Sequence, residues 1–142
     1  MNHALDKYLS NIRKSFEGYP KEILEACCNI VIQIFKYNIL EINYLTFSRL
    51  YSWSGMKSHL EFKEALYILI DPNLKILDQH FEAFNVRKNR YEGIDINFVY
   101  EILISKDYID PFTFESISES DFNNIINIFF ALSEDFKRVG LH

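Results

Sequence analysis

The sequence predicts a mostly α, single-domain fold with one small antiparallel β-hairpin and extra helices at the N- and C-terminal ends. Three observations lead there. Apolar residues recur mostly at spacings of three and four, the period of an amphipathic helix. Glycine (4) and proline (3) are scarce in 142 residues, too few for the many turns of a β-sandwich. One stretch, residues 74–85, switches to period two and runs into a polar, basic turn. An apolar fraction of 49% with 25% charge excludes a disordered chain, and a chain of this length buries enough surface for a core without disulfides or metals.

The first helix is predicted over residues 4–16, where Leu5, Tyr8, Leu9, Ile12 and Phe16 form one stripe before Gly18 breaks it. Pro20 suits the first turn of a second helix, reaching about Asn38. Ile23, Leu24, Cys27, Ile30, Val31, Ile34 and Phe35 make this the central buried helix. A short helix over residues 46–53 turns Phe47, Leu50 and Tyr51 inward, and Ser54-Gly55 makes a turn. Ser58-His59-Leu60-Glu61 reads as a capping box opening a helix to about Ile70, with Leu60, Ala65, Leu66 and Leu69 as its inner face. Asp71-Pro72-Asn73 ends it.

From Leu74 to Asn85, Leu77, Gln79, Phe81 and Ala83 alternate with Asp78, His80, Glu82 and Phe84, the pattern of a strand. Residues 86–90 form the turn and residues 91–94 the returning strand. Asp95 can cap a helix carrying Phe98, Val99, Ile102 and Leu103. Ser118 begins a last helix, to about Leu132, with Phe122, Ile125, Ile126, Phe129 and Phe130. Residues 133–142 are expected to be a frayed or loosely docked end.

The net charge of −5 and pI near 5.3 argue against a domain coated in nucleic acid, though a local basic patch remains open. Cys27 and Cys28 are adjacent, so they build no disulfide framework; inside the most apolar helix they read as small hydrophobes. No apolar run approaches a membrane span, and the first ten residues hold no apolar leader core, so a cytoplasmic protein with no membrane partner is expected. His3, His59, His80 and His142 lie far apart without paired ligands, so no metal site is expected. Asp107, Asp110, Glu115, Glu119 and Asp121 read as a solvated loop and an acidic helix start. Four scattered glycines build no phosphate loop. No catalytic residue and no cofactor is assigned. Trp53, Tyr51 and Tyr67, near the Ser54-Gly55 turn, could stack a base, but residues like these more often wedge two helices together. Arg87, Lys88 and Arg90 place three positive charges in four residues, which suits a charged turn or a tip that straddles phosphates.

The order helix, helix, turn, helix, strand, basic turn, strand over residues 20–94 resembles a winged-helix domain, with residues 95–132 as a C-terminal helical extension. The resemblance rests on element order. It makes residues 46–53 the first helix of the helix-turn-helix, 58–70 the recognition-helix position and 74–94 the wing. It implies DNA contacts from Lys57, His59 and Lys63 on that helix and from Arg87, Lys88 and Arg90 on the wing tip. Glu61 and Glu64 on the same helix would repel phosphate, and winged-helix domains also dock proteins. The expected function is therefore non-enzymatic: protein interaction or assembly in a bacterial-type complex, the partner being another protein or a second copy. DNA binding is the alternative, and a small enzyme whose site assembles only in the fold is the third.

Overall fold

The computed structural model describes residues 3–37 and 39–140; Asn38, where the second helix was expected to reach, and His142 lie outside the described residues. In chain order the elements are α1 (His3–Ser15), α2 (Lys21–Phe35), a 3-10 turn (Ile39–Glu41), α3 (Phe47–Ser54), α4 (His59–Leu69), β1 (Leu77–Asn85), β2 (Arg90–Ile94), α5 (Ile96–Ser105), α6 (Glu119–Ile125), β3 (Ile126–Leu132) and α7 (Glu134–Gly140). The fold is mostly helical with a small antiparallel sheet of strand order β2-β1-β3. Among the described residues, no helix is long and apolar enough to cross a membrane. The chain divides into two compact units: residues up to Asp78 with the chain from Phe130 onward, and Gln79–Phe129.

The first unit is built around α2. Eight of its residues are buried, and Ile30, Val31 and Ile34 have no exposed surface, as the spacing of its apolar residues predicts. Tyr8 and Ile12 of α1 join this core, with Leu5, Leu9 and Phe16 packed partly against it. From α4 come Phe62, Ala65, Leu66, Ile68 and Leu69. Leu60, expected on that inner face, is 77% exposed. It stands two residues before Phe62, which turns it to the opposite side of a helix with 3.6 residues per turn.

Two expectations for the C-terminal part are overturned. Residues 119–132 are not one helix: α6 ends at Ile125 and the chain continues as β3. The Ile-Asn-Ile-Phe-Phe run is β-branched and aromatic, so it favours a pleated surface once a strand edge offers hydrogen bonds. The extension 95–132 is thus not wholly helical, and the expected hairpin becomes a three-stranded sheet. Nor are residues 134–140 a frayed end. Ser133 caps α7, its hydroxyl accepting from Phe136 N–H at 3.1 Å and donating to the Lys75 carbonyl. Glu134 and Asp135 in the first turn and Lys137 and Arg138 in the last complement the helix dipole. Phe136 is fully buried, its ring 4.8 Å from Tyr8 and 5.4 Å from Phe35.

In the second unit, β1 shows the predicted alternation. Phe81, Ala83 and Asn85 are buried while His80 and Phe84 are exposed. It pairs antiparallel with β2 from Phe81↔Ile94 to Asn85↔Arg90. On the other side, His80 stacks on Phe129 with centroids 5.2 Å apart, and Asn127 donates to Glu82 at 2.8 Å. Asp95 caps α5 by accepting from Asn97 and Phe98 N–H. Phe81, Val99, Ile102 and Phe122 form a core of their own. The acidic stretch is structural in part: Asp110 accepts from Phe112 and Thr113 N–H, fixing its turn.

Burial sets the expected costs of truncation. Ile34→Ala should cost about 2–5 kcal/mol and Phe136→Ala about 3–5 kcal/mol, through lost transfer energy and the cavity left behind. Leu60→Ala should stay within about 0.5 kcal/mol of the parent. Urea unfolding of the three variants checks this; a Phe136→Ala protein as stable as the parent would mean α7 does not fill the core.

Candidate functional site

The side chains that the sequence singles out lie at the solvent face of α4 and at the β1–β2 tip, and a cleft beside α3 brings together a further set.

The turn between α3 and α4 is fixed by short-range bonds. Thr46 caps α3 by accepting from Arg49 N–H, and Ser58 caps α4 by accepting from Glu61 N–H. Gly55 closes α3 at φ +75°, a left-handed conformation that costs a side-chain-bearing residue strain. Ser54, 2% exposed, donates to the Tyr51 carbonyl and accepts from Met56 N–H, while Asn29 of α2 donates to the Ser54 carbonyl at 3.1 Å. Tyr51 lies between α3 and α4, with its ring 5.3 Å from Phe62 and 4.3 Å from His59, so it is a wedge rather than a stacking platform. The helix held this way presents His59, Leu60, Lys63, Glu64 and Tyr67 to solvent, with Tyr67 65% exposed. Lys57 is also exposed, in the turn before the helix.

The tip places Arg87, Lys88 and Arg90 in solvent. Asn85 builds it: the side-chain oxygen accepts from Arg87 and Lys88 N–H, and the amide donates to Glu92. Asn89 takes a left-handed φ of 52°. Glu92 lies 3.4 Å from the Lys88 ammonium and 3.3 Å from the Arg90 guanidinium. Its carboxyl is held below the usual carboxylate range, first by the Asn85 hydrogen bond and then by the two cations. The expected field of three charges is therefore reduced by a shared carboxylate. The six predicted contact residues divide between the two units, Lys57, His59 and Lys63 in the first and Arg87, Lys88 and Arg90 in the second.

The cleft was not legible in the sequence. It has a volume of about 310 Å³ and is lined by Tyr37, Glu41, Ile42, Asn43, Tyr44, Leu45, Arg49 and Trp53. Arg49 and Trp53 are four apart on α3 and share a face. The Arg49 guanidinium stands 5.5 Å from the indole centroid, and Tyr37 stacks on Trp53 at 5.7 Å and 19°. The i, i+4 Arg-Trp pair was readable; the loop against it was not.

The thiols stay within the core. Cys27 is fully buried and donates to the Ala65 carbonyl, and burial pushes both Cys27 and Cys28 above the ordinary thiol range. Among the described residues, no group of three or more His, Cys, Asp or Glu side chains is placed to hold a metal ion.

Asn85→Ala should raise the Glu92 pKa towards its ordinary value, because the leading hydrogen bond to the carboxylate is lost. The lowered value means that Glu92 stabilises the tip above its unfolded pKa and that this stability disappears as pH falls through the folded one. An NMR titration of the Glu92 carboxyl carbon reads both; an unchanged midpoint in the variant would remove Asn85 from the account.

Comparison with known proteins gives no match for this chain among family models, curated protein sequences or solved structures.

Proposed function

We propose that the chain is a non-enzymatic, winged-helix-like module that docks a protein partner through the solvent face of α4. The observation that carries this is the makeup of that face. Leu60 and Tyr67, 77% and 65% exposed, lie on it beside Lys63 and Glu64. Large apolar side chains among charges of both signs suit the rim and centre of a protein interface. A helix that reads DNA needs cations and amides facing base edges and phosphates, and the tip adds little, since Lys88 and Arg90 share Glu92.

The winged-helix order finds support within the first unit when the returning strand is taken as β3 rather than β2. The succession is then α2, the extended Leu45, α3, the Gly55 turn, α4, the start of β1 and the end of β3. Phe130 of β3 bonds reciprocally to Leu45 at 2.7 and 2.8 Å. On this reading residues 79–129 are an insertion in the chain between the start of β1 and the end of β3.

Two measurements test the proposal. A photocrosslinker at position 67, in cells producing the protein, should give a discrete protein adduct, either a partner or a second copy, that is lost on Leu60→Asp. Duplex-DNA affinity at two salt concentrations should be weak for the parent and for the triple Ser variant of Arg87, Lys88 and Arg90, whose net charge falls from −5 to about −8. Phosphate contacts would impose a salt slope of about −0.9 each. Tight, strongly salt-dependent binding by the parent that collapses in the variant would replace protein docking with DNA binding.

A further inference from the structure

We propose that the cleft beside α3 binds a flat aromatic ring that carries a carboxylate or phosphate. The proposal is independent of what docks on α4. At about 310 Å³ the cleft is at the small end of the range for small-molecule sites. Its lining includes Ile42 and the buried Leu45, and three aromatic rings stand around it. Tyr37 and Tyr44 remain 52% and 44% exposed, so large amphipathic rings are left in water at one place. An aromatic ligand would remove that surface from water and stack or meet the rings edge-on.

The polar groups choose the other half of the ligand. The Arg49 guanidinium carbon stands 5.5 Å from the indole centroid, a cation–π contact that does not occupy all five of its N–H donors. Among the described residues no carboxylate pairs with it: Glu41 lines the same cleft without forming an ion pair to it. The result is an exposed cation beside the indole that no described carboxylate neutralises. Its donor fork matches the two oxygens of a carboxylate or phosphate. Asn43 and Glu41 supply a donor-acceptor set for the polar edge of a ring.

The backbone on both sides of the cleft is anchored. Thr46 caps the helix that carries Arg49 and Trp53, and the reciprocal Leu45–Phe130 bonds pin the end of the facing loop. Groups ordered before the ligand arrives lower the entropic cost of binding.

Trp53 is the chain's only tryptophan, so its emission reports on the cleft directly. Two pairs of probes separate the two sources of this chemistry. One pair is adenosine 5′-monophosphate and adenosine; the other is N-acetylphenylalanine and its amide, which mimic a peptide C-terminus with and without the oxyanion. At least one anionic member should give a saturable change in Trp53 emission and bind about tenfold or more tighter than its neutral counterpart. Arg49→Gln should remove that preference while the melting temperature holds, and Arg49→Lys should restore it only in part, because charge returns without the planar fork. Binding by the nucleotide alone assigns the site to a nucleotide, binding by the acetylated residue alone assigns it to a peptide end, and binding by both supports the shared chemistry. No saturable change with either anion, equal binding of anion and neutral probe, or affinity unchanged in Arg49→Gln would overturn the proposal.

Discussion

The backbone pair between Leu45 and Phe130 ties the C-terminal return of the chain to the segment that leads into α3. Each residue donates to the other's carbonyl, at 2.7 and 2.8 Å, and both are almost fully buried. On one side the pair fixes the chain immediately before Thr46, and with it the start of α3 and the loop against Trp53. On the other it aligns the end of β3, so that Ser133 reaches Ile76 and Lys75 and begins α7. Phe136 of that helix lies in the core beside Tyr8 and Phe35. Closing so long a loop has an entropic cost that grows slowly with its length, and the buried apolar surface on both sides of the pair offsets it.

That dependence explains which parts of the fold the sequence reveals. Helices α1 and α2 carry uninterrupted apolar stripes, and Thr46, Ser58, Asp95 and Ser118 each accept from a backbone N–H close by, so all of these signals lie within a few residues. The β1 alternation is equally local. β3 is different, because Phe122, Ile125, Ile126, Phe129 and Phe130 fit a helical spacing as well as they fit a strand. The deciding fact is the edge of β1, more than thirty residues earlier in the chain. The α7 cap was readable from Ser133, the acidic pair after it and the basic pair at its end; its buried Phe136 was obscured by its place near the chain end.

The candidate sites divide in the same way. The basic tip is visible as composition, but composition does not show that Glu92, across the turn, answers two of its three cations or that Asn85 holds the backbone of Arg87 and Lys88. The α4 face is partly legible: helix spacing puts its charged residues in solvent, whereas Leu60 reads as inward although Phe62 occupies that side. The Trp53 cleft joins α3 to the segment from Tyr37 to Leu45, and no periodicity in either half announces the other. The cleft therefore exists only after the long-range pairing has formed, whereas the α4 face is set by local caps and the helix period.

Native-state hydrogen exchange tests that pairing most directly. If the Leu45–Phe130 pair closes the unit, the amides of both residues open only with the core and exchange as slowly as those of Ile30 and Val31 in α2. Exchange of Leu45 and Phe130 at the rate of exposed loop amides, with α2 still protected, would show that the unit stands without its return strand and would contradict the account.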